Sequence, residues 1–516
     1  MVEAWISIST PATFVLKKAN LIRMVWKIVT CTLYAAFAAR LSSGTPTASP
    51  ATSLATGLAA EANAAAQVIN TDVVIIGGGA TGTYAAVKLK DAGVRVQVIE
   101  QRGCLGGHTQ TYQDPVSGGR TETGVVIYEN ISATTAFAQR LGVPLVTVNL
   151  GTGAGETLVD FRTGKALPPS PYTESETAAA LEAYAEQLAK YPYLDLGFDL
   201  AYPVPSDLLL SFGGFVKKYK LDAAVPVISQ YDQGVGNILN QTAIYPLKLF
   251  GLQDLVSLDS GYLTTARGDN SELYTNAAAI IGESRIQYRS TVAAMQRSSD
   301  TAQPHLLRLE GSAGPLYIHA KRILSTIPPI LANLGGWDLD VSERSLFSQF
   351  NNSAYYTAIV NNTGFPANTT FYNAASDQPY ELPVLPGIYG ISLAAPLPGT
   401  SAQPIPGAFN VKYGAPSAMS TAAVKADIIS EIQRLQKAQG LKVTIPGFVF
   451  FDNHTPYELV VPPKAIAGGF YKDLYALQGR KGTWWTGAAW HTQNSALLWR
   501  FTDGIVEEIV ESLKAA

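Results

Sequence analysis

Only two of the 516 residues are cysteine, Cys31 and Cys104, and only five are histidine. Cys31 falls in an N-terminal apolar segment that reads as a cleavable leader. The mature chain would then keep one cysteine and no internal disulfide, so a large core has to supply its stability. The histidines, at 108, 305, 319, 454 and 491, are scattered, which argues against a metal site. Charged residues make up 15% of the chain and the formal net charge is −3. There is no basic stripe, which argues against a nucleic-acid partner. No Walker loop, zinc spacing or Ser–His–Asp order occurs. The length is too great for one simple core and suggests two intimately connected domains.

The N-terminus reads as a targeting segment. Lys17, Lys18, Arg23 and Lys27 precede the apolar stretch Ile28 to Ala39, and Ala36-Phe37-Ala38 offers small residues for cleavage. This is the order of a secretory signal peptide over residues 1–40, with Met24 as a natural alternative start. The segment is shorter than the ~20 residues of a membrane span, so no stable span is expected, and a signal anchor is the alternative. Residues 41–67, rich in Ala, Ser, Thr and Pro, read as a flexible linker. Asn-x-Ser/Thr sequons begin at Asn130, Asn240, Asn351, Asn361, Asn368 and Asn453, in keeping with the secretory pathway and a glycoprotein.

What the chain does have is a dense signal from Thr71 to Thr109. Asp72 to Ile76 is a Val/Ile run typical of a strand buried on both faces. It ends in Gly77-Gly78-Gly79-Ala80-Thr81-Gly82, which fits GxGxxG. Thr83 to Ala92 reads as a helix capped by Gly93, and Val94 to Ile99 as a second buried strand ending in Glu100 and Gln101. Gly77 permits a tight turn, Gly79 lets the backbone approach a pyrophosphate, and Gly82 lets helix and strand pack closely. The helix start at Ala80 and Thr81 offers free N–H groups and partial positive charge to phosphates. Glu100 stands where a carboxylate accepts from a ribose diol. The spacing leaves FAD and NAD open as the nucleotide.

After Glu100 and a gap of five residues, Gln101 to Leu105, comes Gly106-Gly107-His108-Thr109. A second glycine pair at this distance returns the chain past the pyrophosphate towards a flavin in many FAD enzymes. Here the sequence resembles the flavin-containing amine oxidase superfamily, whose pattern ends in Gly-Gly-Arg. The GGHT form, with Thr111-Tyr112 and Gly124 to Tyr128, is closer to the β-cyclopiazonate dehydrogenase group of fungal alkaloid biosynthesis. The resemblance implies FAD as cofactor and His108 in place of the phosphate-facing Arg. It implies that the backbone of Val292, in Arg285 to Met295, meets the adenine. Lys321 to Pro329 would end in an apolar–Pro turn beneath the nucleotide. It also implies that Gly482 to Val506 closes the flavin site as a strand–Gly–helix unit. There Gly487 would admit the ribitol phosphate, and Trp490, Thr492 and Asn494 would lie beside the cofactor at the helix start.

His491 is the candidate acid–base or substrate-orienting residue; the alternative is that it caps the closing helix or contacts the flavin structurally. Trp484, Trp485 and Trp490 could wall a flat substrate or pack against the flavin. Lys412 is a possible counterpart of the lysine that holds a water in amine oxidases. Cys104, in the loop after the ribose-binding strand, is expected to make no flavin bond.

The fold class expected is α/β: a Rossmann-type FAD-binding domain of glutathione-reductase-like or amine-oxidase-like kind with an interleaved α+β substrate domain. The FAD domain is placed at 68–150, 266–335 and 450–516, and the substrate domain at 151–265 and 336–449. Within the latter, Thr173 to Glu176 fits a capping box. Helices are expected after it, at Leu208 to Lys220, at Ala223 to Tyr231 and at Val424 to Leu435, with strands at Ser353 to Val360, Phe371 to Asn373, Gly387 to Leu393 and Ala408 to Tyr413. The implied function is an FAD-dependent oxidoreductase that takes hydride from a C–N or C–H bond of a small aromatic natural product, with or without ring closure. An FAD-dependent isomerase or desaturase of an apolar, fatty-acid-like substrate is the alternative, and a non-enzymatic binding protein on the same fold the third. Substrate identity, electron acceptor and oligomeric state stay open.

Overall fold

Two sheets divide the chain. The computed structural model describes residues 58–62, 68–149, 156–300, 303–311, 314–367 and 369–515. The leader, most of the expected linker and the sequon at Asn368 lie outside those residues. Residues 58–62, placed in the linker by composition, are instead helical. Leu58 and Ala62, one helical turn apart, pack against Leu306 and Tyr317, so this piece joins the fold.

The first sheet has seven strands. Val68–Ile76 pairs in parallel with Val96–Ile99 on one side and with Leu316–Ser325 on the other. Leu316–Ser325 pairs near its start with the antiparallel strand His305–Gly311, which continues to Ser290–Gln296. Its C-terminal end pairs in parallel with Thr483–Trp485, and Ile286–Gln287 closes the other edge beside Val96–Ile99. Val73, Val74 and Ile75 are fully buried. Val73 and Ile75 face one core cluster while Val74 and Ile76 face another, the two-sided burial that a continuous apolar run implies.

The helix after the glycine turn runs Ala80–Asp91, three residues earlier than its apolar pattern suggests. Gly79 is its N-cap, so the last part of GxGxxG is already helix. The closing helix, Ser495–Lys514, lies against it: the Tyr84 hydroxyl donates to Asp503 at 2.8 Å, and the Trp499 indole to Ala80 O at 3.2 Å.

The second sheet has eight strands, ordered Gly447–Asn453, Asn351–Asn361, Phe409–Ala415, Gly387–Leu393, Thr370–Asn373, Glu156–Asp160, Lys165–Ala166, with Tyr457–Val460 beside the start of Asn351–Asn361. The helix Thr421–Ala438 covers one face, burying Val424, Ile428, Ile432 and Leu435 on Tyr356, Ala358 and Val360. Strand alternation turns Tyr355 and Thr357 to the opposite face.

The segments 447–453 and 457–460 therefore extend the second sheet, although the expected cofactor domain began at 450. The chain rejoins the first sheet only at Thr483. The helix expected at Leu208 to Lys220 is two pieces, Ser206–Leu209 and Phe212–Tyr219, because Ser211 caps the second by accepting from Gly214 N at 3.1 Å. The capping box at Thr173 forms as read, with Glu176 reaching back to Thr173 N at 2.8 Å. No described helix is long and apolar enough to cross a membrane.

Candidate cofactor and substrate site

A cavity of about 920 Å³ opens where the parallel strands of the first sheet end and the second sheet begins. Its floor is the sequence of C-terminal strand ends: Gly77, Glu100, Thr326 and Gly487. Open α/β sheets place their ligands at such ends.

Backbone contacts shape this floor. A Cβ on Gly82 would lie 1.9 Å from Gly77 O, and one on Gly107 would lie 2.9 Å from Gly79 Cα. The two glycine loops therefore touch through main chain, and Gly106 N donates to Gly78 O at 2.8 Å. A Cβ on Gly79 would meet only Gly107 Cα at 3.8 Å, so its open side belongs to a ligand. No side chain caps the helix Ala80–Asp91, and Gly79, Ala80 and Thr81 line the cavity. That is an uncapped helix start of the kind that takes phosphate. Each oxygen of Glu100 accepts one backbone N–H, from Gly78 and from Arg102, both at 2.7 Å. The carboxylate is fixed in place, with further lone pairs left for a ribose diol. Gln101 stands beside it on the cavity wall. These features fit a dinucleotide.

His108 lines the same cavity and stacks on His454, with ring centroids 4.3 Å apart and planes 9° from parallel. Burial pushes the His108 pKa well below its ordinary value, and His454 and Arg102 push it further. It is thus a neutral ring rather than a replacement cation for an Arg. Arg102 pairs with Asp452 at 2.9 Å. His454 Nε2 lies 3.0 Å from Asp452 Oδ2, within ion-pair range although no aligned hydrogen bond joins them. Lys412, also on the cavity wall, donates to Thr123 O at 3.2 Å. Burial lowers its pKa to about 8, opposed by Glu122. Burial raises Glu122 to about 8 against hydrogen bonds from Asn270 N and Thr111 Oγ1, each 2.8 Å.

The closing segment departs from its sequence reading. Gly487, Ala488, Ala489, Gln493 and Asn494 line the cavity, and Asn494 caps the closing helix by accepting from Leu497 N at 3.1 Å. Trp490, His491 and Thr492 do not line it. The short 3₁₀ turn Ala488–Trp490 turns them into the core. Trp490 is fully buried and stacks on Trp485, centroids 5.8 Å apart. Trp484 donates to Glu508 at 3.0 Å, so none of the three tryptophans is a cavity wall. The His491 ring lies between Lys248 Nζ, 3.2 Å from Nδ1, and Asp195 O, 3.1 Å from Nε2. A carbonyl only accepts, so Nε2 carries the proton to Asp195 O, and in a ring that burial keeps neutral Nδ1 accepts from Lys248. Both nitrogens are used by protein, which leaves His491 no free nitrogen for a substrate. Val292 sits at a β-bulge opposite Leu309 and is likewise off the cavity wall.

Comparison with known proteins agrees with this geometry. Residues 75–141 match the family model for an NAD(P)-binding Rossmann-like domain. The FAD-dependent oxidoreductase pigF of Monascus ruber is 37% identical over 444 residues, covering 85% of this chain and 91% of its own. The β-cyclopiazonate dehydrogenase of Aspergillus flavus is 32% identical over 447 residues, covering 86% and 94%. The chain belongs to this family of FAD-dependent oxidoreductases. Among solved structures, a CLA-producing fatty acid isomerase from P. acnes superposes with a TM-score of 0.67 at 18% identity, over 85% of this chain and 98% of that one. That likeness speaks to the fold alone. The resemblance read from the GGHT stretch is confirmed.

Within this family member, the cavity includes a chamber the sequence did not disclose. Leu181, Val227, Tyr231, Leu249 and Leu258 line it, with Tyr355 and Tyr457 facing each other at 5.1 Å. Two carboxyls, Glu129 and Asp254, also line it. Among the described residues no cluster of His, Cys, Asp and Glu could hold a metal ion. The one trace of Glu129 in the sequence is an acid closing the apolar run Val125 to Tyr128, much as Glu100 closes its strand. Asp254 and His454 left no trace, because neither belongs to a local pattern.

Proposed function

We propose that the protein is an FAD-dependent oxidase or dehydrogenase that removes hydride from a C–N or C–H bond of a small aromatic natural product in secondary metabolism, with or without ring closure. What carries this reading is that one cavity is lined both by the glycine cradle with Glu100 and by the Tyr355–Tyr457 pair. Bound FAD supplies the two-electron acceptor. The backbone amides at Ala80 and Thr81 hold its phosphates, and Glu100 its ribose. Flat rings fit between the tyrosines and the cavity floor. Lys412, with a pKa brought near neutrality, is placed to take or return a proton at Nζ.

The test is anaerobic mixing of the purified yellow protein with metabolites made by neighbouring genes. Loss of the flavin band at about 450 nm, together with a product two hydrogens lighter, supports the oxidoreductase reading. Conversion with no change of product mass and no net bleaching would replace it with the isomerase reading.

A further inference from the structure

The cavity holds two carboxyls that no lysine or arginine among the described residues pairs with. Glu129 is 4% exposed and Asp254 5%. The Asn494 side-chain amide donates to Glu129 Oε1 at 2.7 Å, and Gly251 N to Asp254 Oδ2 at 3.0 Å. Both carboxyls line the same cavity, and the charge of Glu129 raises Asp254. Asp232, 2% exposed and with neither carboxyl oxygen hydrogen-bonded, is itself raised well above the ordinary carboxyl value by burial and by the charge of Asp254.

Such a pair cannot lose both protons cheaply. Two buried carboxylates on the wall of one enclosure repel each other and lack solvent, so the pair holds on to a proton. Burial raises both groups, and Asp254 rises well above the ordinary carboxyl value. The neighbours are apolar: Leu181, Leu249, Leu258 and Tyr231. What faces a ligand is therefore one donor and several acceptor lone pairs that still carry negative charge. A hydroxyl, enol or amide group can satisfy both functions. A carboxylate can satisfy only the donor, and it brings a second negative charge beside a pair that has no ion-pair partner of its own.

We propose that the Glu129–Asp254 pair is the specificity element of the chamber, selecting an uncharged hydrogen-bonding head group on the substrate and refusing a carboxylate. This rests on the oxidoreductase reading of the same cavity and narrows it. It separates this chain from a fatty-acid-handling use of the shared fold, for which a carboxylate must be lodged.

The experiment titrates the wild-type holoenzyme with benzamide and with benzoate, flat isosteres that differ in charge, and follows the perturbation of the flavin absorption band. Benzamide should half-saturate at a concentration on the order of tenfold lower than benzoate, or lower still, as expected for a like-charge penalty. Glu129→Gln and Asp254→Asn keep acceptors for Asn494 and Gly251, so FAD content and melting temperature should hold while the preference for benzamide falls by about tenfold. Equal affinity for the two probes, no perturbation by benzamide, or a preference unchanged in both variants would overturn the assignment. A wild-type protein that takes up no FAD would instead overturn the oxidoreductase reading beneath it.

Discussion

The glycine cradle and the substrate chamber line one cavity and are built on opposite plans. The cradle is main chain against main chain. Gly82 and Gly107 are fixed by approaches of 1.9 and 2.9 Å that no Cβ survives, and Glu100 is held by two backbone amides. The chamber is side chain against side chain, assembled from segments as far apart as Glu129, Leu181, Tyr231, Asp254, Tyr355 and Tyr457. Close backbone packing dictates residue type at fixed spacing. An assembled wall dictates only that its members meet, and many residue types will serve. The cradle is therefore common to many nucleotide enzymes, and the chamber is where this one differs.

The sharpest way to break the comparison is to fill the cradle. Gly79 has ordinary backbone φ and room for a Cβ, so Gly79→Arg should fold while its side chain occupies the phosphate position. We expect complete loss of bound FAD, read as loss of the flavin band, with a circular dichroism spectrum like that of the wild type. Gly82→Val should instead fail to give soluble protein, since its Cβ overlaps the Gly77 carbonyl. If Gly79→Arg keeps its FAD, the cofactor does not use this cradle.

The same contrast explains what was legible in the sequence. The strand, glycine turn and acid at Glu100 came through, as did the second glycine pair and the capping box at Thr173, because each is local chemistry. The helix at Ala80 was placed three residues late, because periodicity registers apolar positions and the first turn of this helix is glycine and threonine. His491 was read as catalytic from its neighbours in sequence. Lys248, 243 residues away in the chain, decides otherwise by occupying its Nδ1. The domain boundary at 450 failed for a related reason: Gly447–Asn453 finds its partner in Asn351–Asn361, and pairing across that distance has no local signature.

Buried acids set the chamber half apart in a second, smaller way. Glu431, on the helix that covers the second sheet, is 4% exposed, and burial raises its carboxyl to about 8 from an ordinary 4.5. Ile388 N donates to it at 3.2 Å, too little to offset the lost solvation. Between those two values the unfolded chain gives up a proton that the folded chain keeps. Stability from this group is thus whole below pH 4.5 and is lost as pH rises towards 8. Glu431→Gln should flatten that decline by about 2 kcal/mol or more, since one pKa unit is worth about 1.4 kcal/mol. Denaturant unfolding at the two ends of the window measures it. Hydrogen exchange should show the loosening at high pH in the strands beside Ile388 and not in Val68–Ile76. Parallel pH slopes for wild type and variant would mean that this carboxyl ionises in the folded state at little cost.

The smallest expected effect is at Cys104, which lies on the cradle side yet takes no part in it. The thiol is exposed and off the cavity wall, five residues beyond the strand Val96–Ile99. A covalent flavin link needs a thiolate that faces the cavity, and Cys104 is not on its wall. Partial burial raises the Cys104 pKa, and Glu100 and Asp452 raise it further against the opposing charge of Arg102, so the reactive thiolate is scarce. The loop is held over the ribose end of the cavity by Arg102 N on Glu100, which keeps the sulfur away from the chamber. Acid precipitation of the wild type should release the yellow colour into the supernatant, and Cys104→Ser should bind FAD with unchanged stoichiometry. Colour that stays in the wild-type pellet and leaves it only in Cys104→Ser would require the loop to reach the flavin. The division between a backbone cradle and a side-chain chamber would then fail at this residue.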